Sequence, residues 1–306
     1  MLLAITLVAP DPDVLPAAQE RAELVLPALS AQVQSSRLLG PGALDLDIAS
    51  ALTLSVAEVV RALREELERA LDGLAVDVAV QPSAGRRKRL FLADMDSTII
   101  GCECLDELAD FAGVKAQVSA ITERAMRGEI DFTNALTERV AMLKNLPLSA
   151  LRQCYDQRVR LNPGARTLVR TLRAHGVHCV LVSGGFSFFT ERVAAEAGFH
   201  RQFANRFVER GGVLTGEVRS PILGQEAKLA TLRQEAQALE INLGSACAIG
   251  DGANDLAMIE AAGLGVAYRA RPVVAAQADA RIDHADLTAL LYFQGYGVEA
   301  FDSDPG

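Results

Sequence analysis

Two kinds of apolar patterning meet near residues 81–88, where QPSAGRRK interrupts both. Ahead of that break a strand is predicted over Leu2–Val8, a helix over about Leu15–Leu29 and a less regular segment around Ala43–Ile48. A second helix over about Val56–Leu71 and a strand over Leu74–Val80 complete a rough β-α-β-α-β order, with room for one more short strand at Ser36–Leu39. Such an order suits a small α+β sandwich with helices on one sheet face. The basic run Arg86, Arg87, Lys88 and Arg89 reads as a solvated linker just ahead of a strand.

Beyond the break, near-continuous apolar runs fall at Leu90–Ala93, Val177–Val182, Ala246–Ile249, Gly265–Tyr268 and Arg281–Asp283. Helical patterns separate them at Pro163–His175, Ser187–Ala197, Glu226–Leu239 and Asp255–Ala262. The alternation predicts an α/β fold with a parallel sheet and helices on both faces. Right-handed crossovers then line the strand C-termini along one edge, where open α/β sheets bind ligands. The stretch from about Cys104 to Arg160 is too long for a simple crossover. It is polar and helical in pattern, including Val118–Gly128 and Phe132–Leu143, and reads as a helical cap inserted after the first strand of this sheet. Phe203–Val218, turned at Gly211-Gly212, reads as a smaller hairpin insertion. Two domains are expected, residues 1–84 and 85–306, with the cap at about 104–160.

Half of the 306 residues are hydrophobic and 23% are charged, a balance that supports a sizeable core without disulfides. The net charge of −9 argues against nucleic acid as a partner. It leaves room for a small anion gathered by a few local cations and a metal. No apolar run approaches the roughly 18 residues that span a bilayer, so no membrane partner is expected. The opening MLLAITLVAPDPD lacks a basic flank and a small-residue cleavage site, and reads as a strand. Five cysteines without a CxxC pairing point to free thiols in a reducing, cytoplasmic setting.

Candidate chemistry sits at the predicted strand ends. Asp94 and Asp96, in DMDST, are two residues apart after LFLA, so both side chains can project to the same side. One carboxylate can attack phosphorus while the other handles protons. A metal-binding DxD of another enzyme class or a surface turn would look the same. GDGAND follows a second apolar run and offers Asp251 to the same edge, with Asn254 and Asp255 opening the next helix. Asp94 with Asp251 supplies the one or two carboxylates that Mg²⁺ prefers. Ser183-Gly184-Gly185 can cradle a phosphate or make an ordinary turn, and Lys228 can reach the site or be solvated on its helix. The four histidines lie outside these motifs.

Taken in order, these elements resemble the haloacid dehalogenase superfamily of phosphatases. DMDST is similar to its first motif, VSGG to its second, Lys228 to its third and GDGAND to its fourth, over about residues 89–295. DMDSTIIGCECLDELA, ITERAMRGEIDF with ERV, VSGGFSFF, FANRF, LTGEV and GDGANDLAMIEAAGLGVA resemble the phosphoserine phosphatase branch. The resemblance implies a Rossmann-like sheet, O-phosphoserine as substrate, and Mg²⁺ held by Asp94, the Asp96 carbonyl and Asp251. It implies Asp94 as nucleophile and Asp96 as general acid and base. Ser183, Gly184 and Lys228 would hold phosphoryl oxygens, with Asn254 and Asp255 supporting the metal. In the cap, Glu103 would face the substrate ammonium and Arg139 its carboxylate, with Met126 and Phe132 beside them and Gly185 making a backbone contact. On residue type alone, Glu103 could equally be a helix-start acid, and Arg139 part of a solvated helix face. Two other functions stay open: a related phosphatase or phosphotransferase for another metabolite, and a non-catalytic amino-acid sensor. The element order of residues 1–84 resembles ACT-type amino-acid-binding domains, without a decisive glycine-rich ligand loop. Regulation, homodimer formation and plain stabilisation are its open roles.

Overall fold

The computed structural model describes residues 1–126, 129–224 and 226–302, with the Met126 side chain outside that set. The N-terminal part runs β1 (Leu2–Val8), α1 (Leu15–Val25), β2 (Ala31–Gly40), β3 (Ala43–Ser50), α2 (Val56–Ala70) and β4 (Asp77–Pro82). The strand left open at Ser36–Leu39 thus exists and spans ten residues as β2. Its faint signal has a physical cause. As the outermost strand it pairs on one side only, and its mostly exposed positions carry little apolar alternation. The pairing order β2-β3-β1-β4 is antiparallel throughout, a split β-α-β arrangement. Leu3, Ile5 and Leu7 on one face of β1 pack with Ala18, Ala22, Val59, Leu63 and Leu67 from the two helices. A capping box between Ser55 and Glu58 starts α2.

The rest of the chain begins with β5 (Leu90–Asp94), followed by four cap helices: α3 (Cys104–Phe111), α4 (Lys115–Met126), α5 (Phe132–Ala141) and α6 (Leu148–Arg158). Next come α7 (Ala165–Ala174), β6 (His178–Phe186), α8 (Ser187–Ala197), β7 (Arg201–Asn205), β8 (Phe207–Arg210) and β9 (Val213–Val218). The remainder is α9 (Glu226–Ala238), β10 (Ala246–Gly250), α10 (Leu256–Ala261), β11 (Leu264–Tyr268), α11 (Pro272–Ala275), β12 (Ala280–Ile282) and α12 (Ala289–Phe293). Strands β12-β11-β10-β5-β6-β7 are parallel, in that order. Alternate residues of β5 serve two cores: Phe91 and Ala93 face one, Leu90 and Leu92 the other. Burial on both faces is why these strands read as unbroken apolar runs. Among the described residues no helix is long and apolar enough to cross a membrane.

Two expectations need correction. The stretch 203–218 is not one insertion, because β7 joins the main sheet as its edge strand and only β8 and β9 form the separate hairpin. The basic run is also not a solvated linker. Lys88 is buried and donates to the Gly85 and Gly244 carbonyls at 3.0 and 3.1 Å. Arg86 pairs with Asp45 through bonds of 2.7 and 2.8 Å and donates to Thr6 at 2.8 Å. Residues 86–90 alternate inward and outward in a period of two, so chain direction, rather than net charge, decides which cations are buried.

That network belongs to a wider junction. β4 pairs antiparallel with β12 at Ala79 and Ala280, so a single ten-stranded sheet runs through the molecule. The Gln81 amide donates to the Phe293 carbonyl at 2.7 Å. The Asp77 carboxylate accepts from the backbone N–H groups of Asp283, His284 and Ala285. Removing one partner of a buried ion pair strands the other charge in a low dielectric, at a cost of about 3–5 kcal/mol, whereas replacing both by apolar groups is often neutral. Asp45→Ala is therefore expected to lower the unfolding free energy by about 3 kcal/mol in urea titration, with Asp45→Leu/Arg86→Met recovering most of the loss.

Candidate active site

The sheet brings the acidic motifs together at the C-terminal ends of neighbouring strands. Asp94 ends β5, and Asp251 follows β10 directly. These two strands pair in parallel register, Ala93 opposite Ile249, so the two loops start side by side. One carboxylate oxygen from each of Asp94, Asp251 and Asp255 lies within 4.8 Å of the other two. Into this cluster reaches Lys228 from the first turn of α9, only 3% exposed. Its Nζ lies 2.7 Å from Asp94 Oδ1 and 2.5 Å from Asp255 Oδ1.

The electrostatics follow from that crowding. Burial, then the Asp255 charge, pushes the Asp94 carboxyl well above the usual carboxylate range, with Lys228 opposing. Burial and then Asp255 also raise Asp251. Burial works against the Lys228 charge, but Asp94 and Asp255 outweigh it and hold its pKa above the ordinary lysine value. Three carboxylates facing one ammonium leave an excess of negative charge that a divalent cation would neutralise. Asp255 Oδ1 is taken by Lys228, and its Oδ2 accepts from the N–H groups of Asp251 and Gly252 at 3.2 and 3.0 Å. Its carboxylate therefore braces the loop, leaving Asp94 and Asp251 as the freer donors. The close approach needs a glycine at 250, where a Cβ would collide with the Asp255 carboxyl group.

Asp96 turns to a separate network. Its Oδ1 accepts from the Cys104 N–H at 2.9 Å, and its Oδ2 accepts from Ser183 Oγ at 2.9 Å. Gly185 N donates to the same Ser183 oxygen at 2.8 Å, which ties the end of β6 to the acid. Burial raises the Asp96 pKa, offset by the bonds from Cys104 and Ser183. Two acids two residues apart thus sit in distinct environments, one gripped by a lysine and the other by a hydroxyl and an amide.

The cap meets this edge from above. The Phe132 ring at the start of α5 overhangs the cradle, so that a Cβ on Gly184 would stand 3.1 Å from its Cζ. Glu103, at the start of α3, accepts from Ser97 Oγ at 2.7 Å. Surrounding chain and then the Asp96 charge hold its carboxyl up to about 7, although its exposed face lets solvent screen part of that effect. Arg139 on α5 is half-buried, and burial lowers its pKa against the pull of Asp106, Glu103 and Asp96. Its Nε donates to the Ala135 carbonyl at 3.4 Å, and it has no ion-pair partner among the described residues. Asn254 lies half-buried in the short turn Ala253–Asp255. Met126 ends α4, and its side chain lies outside the described residues.

Sequence reasoning missed four supporting groups. Thr98 Oγ1 donates to Asp251 Oδ1 at 3.1 Å, linking the first and fourth motifs. Asn162 Nδ2 donates to the Thr98 carbonyl at 2.7 Å, across the hinge where Ile100 bridges Leu161. Ser97 holds a left-handed φ of 57° and orients Glu103. Asn205, buried at the end of β7, holds the Gly184 carbonyl at 2.9 Å. Ser97 and Thr98 stood inside the first motif and Asn205 inside FANRF, but no role was read for any of the three. Asn162 carries no local signal beyond an amide next to an apolar stretch.

Comparison with known proteins agrees with this layout. A family profile described as haloacid dehalogenase-like hydrolase matches residues 91–260. A phosphoserine phosphatase from Archaeoglobus fulgidus is 44% identical over 236 residues, covering 76% of this chain and 67% of its own. The crystal structure of a haloacid dehalogenase family hydrolase from Salmonella enterica serovar Typhi superposes with a TM-score of 0.82 at 32% identity. It covers 95% of this chain and 98% of its own, so the N-terminal part is included in the likeness. A phosphoserine phosphatase solved as a phospho-aspartyl intermediate analogue covers 68% of this chain and 99% of its own, with a TM-score of 0.63 and 37% identity. With its motifs gathered on one sheet edge and the family profile matched across both flanking strands, the chain belongs to the haloacid dehalogenase-like hydrolases.

Proposed function

We propose that this protein hydrolyses O-phospho-L-serine to L-serine and phosphate, with Asp94 as nucleophile. The observation that carries the reading is the division of labour between Asp94 and Asp96. Lys228 and the Met95 N–H both hold Asp94 Oδ1, at 2.7 and 2.8 Å. Oδ2 has no donor among the described residues and is the oxygen we assign to attack. A bond forms between that oxygen and phosphorus as the bond to the serine oxygen breaks. Asp96, its pKa raised by burial, gives the departing oxygen a proton. It then takes one from the water that attacks the aspartyl-phosphate, which frees Asp94 and inorganic phosphate. Ser183, the Gly184 and Gly185 backbone and Lys228 would hold the phosphoryl oxygens.

The carboxylates of Asp94 and Asp251 and the Asp96 carbonyl would hold Mg²⁺, with Asp255 and Asn254 bracing that set. Oxygen donors of this kind, short of positive charge, suit a hard cation. When bound, Mg²⁺ supplies charge that offsets the phosphoryl oxygens and the nucleophile. In the cap, Glu103 would pair with the substrate ammonium and Arg139 with its carboxylate, with Phe132 on the apolar side. We infer that residues 1–84 form a stabilising domain on the phosphatase domain, residues 85–306. The shared sheet and the Arg86–Asp45 pair support that role.

Asp94→Asn should lower kcat for O-phosphoserine by about 10⁴-fold or more while far-ultraviolet circular dichroism stays unchanged; near-normal turnover would exclude the covalent route. Charge-assisted hydrogen bonds contribute about 1.5–3 kcal/mol. Arg139→Leu should accordingly reduce kcat/KM for O-phosphoserine by about 10–100-fold and leave phosphoethanolamine, which lacks the carboxylate, within about twofold. An equal loss on both esters would remove Arg139 from substrate recognition. Mg²⁺ at about 100 times its Kd should stabilise the fold by about 2.7 kcal/mol and raise the melting temperature. Asp251→Asn should abolish most of that rise, as differential scanning calorimetry can measure.

A further inference from the structure

We propose that Asn205 is a positioning residue for the phosphoryl cradle, acting through Ser183 on Asp96; the assignment rests on the phosphatase reading above. The parallel ladder between β6 and β7 pairs Val182 with Phe203 and then Phe186 with Asn205. Three residues, 183–185, therefore stand against one, Ala204, and the cradle leaves the ladder. Its carbonyls need partners from elsewhere, because an unpaired buried carbonyl is costly.

Asn205 supplies one. Its side chain is within a residue only 2% exposed, and Nδ2 donates to the Gly184 carbonyl at 2.9 Å. The same nitrogen reaches the Leu223 carbonyl at 3.3 Å, while Oδ1 accepts from the Leu223 N–H at 2.7 Å. This pattern sets the amide orientation, since a flipped side chain would point donors at the Leu223 N–H and an acceptor at the Gly184 carbonyl. One amide thus replaces the missing ladder and joins the cradle to the segment leading into α9, which carries Lys228.

The link to chemistry is continuous. In a trans peptide the Gly184 carbonyl and the Gly185 N–H share one plane and point opposite ways. Holding that carbonyl aims the Gly185 N–H, which donates to Ser183 Oγ at 2.8 Å. Ser183 Oγ in turn donates to Asp96 Oδ2 at 2.9 Å. Loss of the Asn205 donor frees the 184–185 peptide to rotate, and with it the Ser183 hydroxyl. The hydrogen bonds of Asn205 go to Gly184 and Leu223, and it is not among the groups assigned to the substrate or the cation, so the effect should fall on kcat rather than on KM.

The test uses the full chain and whichever phosphomonoester the wild type hydrolyses best. Asn205→Asp keeps the shape and the acceptor for Leu223 but turns an acceptor toward two carbonyls. It should lower kcat about 100-fold, the scale of a small misplacement in a preorganised site, with KM within about threefold. Combined with Ser183→Ala, it should add less than about threefold to the loss from Ser183→Ala alone, because both act on one network. In the wild type, saturation with inorganic vanadate should shift the Asn205 side-chain amide resonances, a measurement that does not depend on any variant folding. Wild-type kcat in folded Asn205→Asp, additive losses in the double variant, or unmoved amide resonances would each overturn the assignment. Preference of the wild type for an ester without an amino-acid group would instead defeat the phosphoserine reading, and the Asn205 test would proceed on that ester.

Discussion

Everything at this site depends on a buried lysine shared by two carboxylates. A cation with almost no contact with water is tolerable only when fully paired, and Lys228 meets that condition through Asp94 and Asp255. The same contacts hold the nucleophile's Oδ1 and anchor the loop that carries Asp251. They also leave negative charge in excess, so the site is built to receive cations while keeping its own lysine in place. A reaction that moves negative charge onto phosphoryl oxygens gains from such an arrangement, because the compensating groups are already oriented before substrate arrives.

A second constraint is less local. The cradle, the Asp94 loop and the Asp251 loop leave three adjacent parallel strands, and none of them can be held by ladder bonds once the chain departs from the sheet. Side chains hold them instead. Thr98 ties the first motif to the fourth, Asn162 spans the cap hinge, and Asn205 joins the cradle to the approach to α9. Amide and hydroxyl groups suit the role because each offers both donor and acceptor.

The N-terminal part poses the opposite problem, that of burying polar groups where two sheets merge. Thr6, Asp45 and Gln81 point away from the helices α1 and α2 toward the C-terminal segment, and each finds a partner there or in the linker. The single β4–β12 pair continues the sheet, but the surrounding hydrogen bonds make the joint specific. This is an attachment with fixed register, different in kind from a module tethered by a flexible linker.

Local pattern determined much of this protein. The parallel strands at Leu90, Val177, Ala246 and Gly265 were legible because burial on both faces leaves nearly unbroken apolar runs. The Asp94, Asp96, Ser183, Lys228 and Asp251 motifs were legible because each sits beside such a run or at a helix start. Tertiary structure alone decided what one-sided pairing and long-range contacts control. β2 is an exposed edge strand with little apolar alternation, and β7 became part of the main sheet only because β6 was there to receive it. Arg86 looked like a solvated cation until Asp45, 41 residues away, supplied the charge that lets it be buried. Asn205 lies within the FANRF stretch, but its role could not be read there, because the Gly184 carbonyl it holds loses its ladder only when β6 and β7 lie side by side. Residue type and spacing report local preferences, whereas the stability of a buried polar group depends on which partners the fold places beside it.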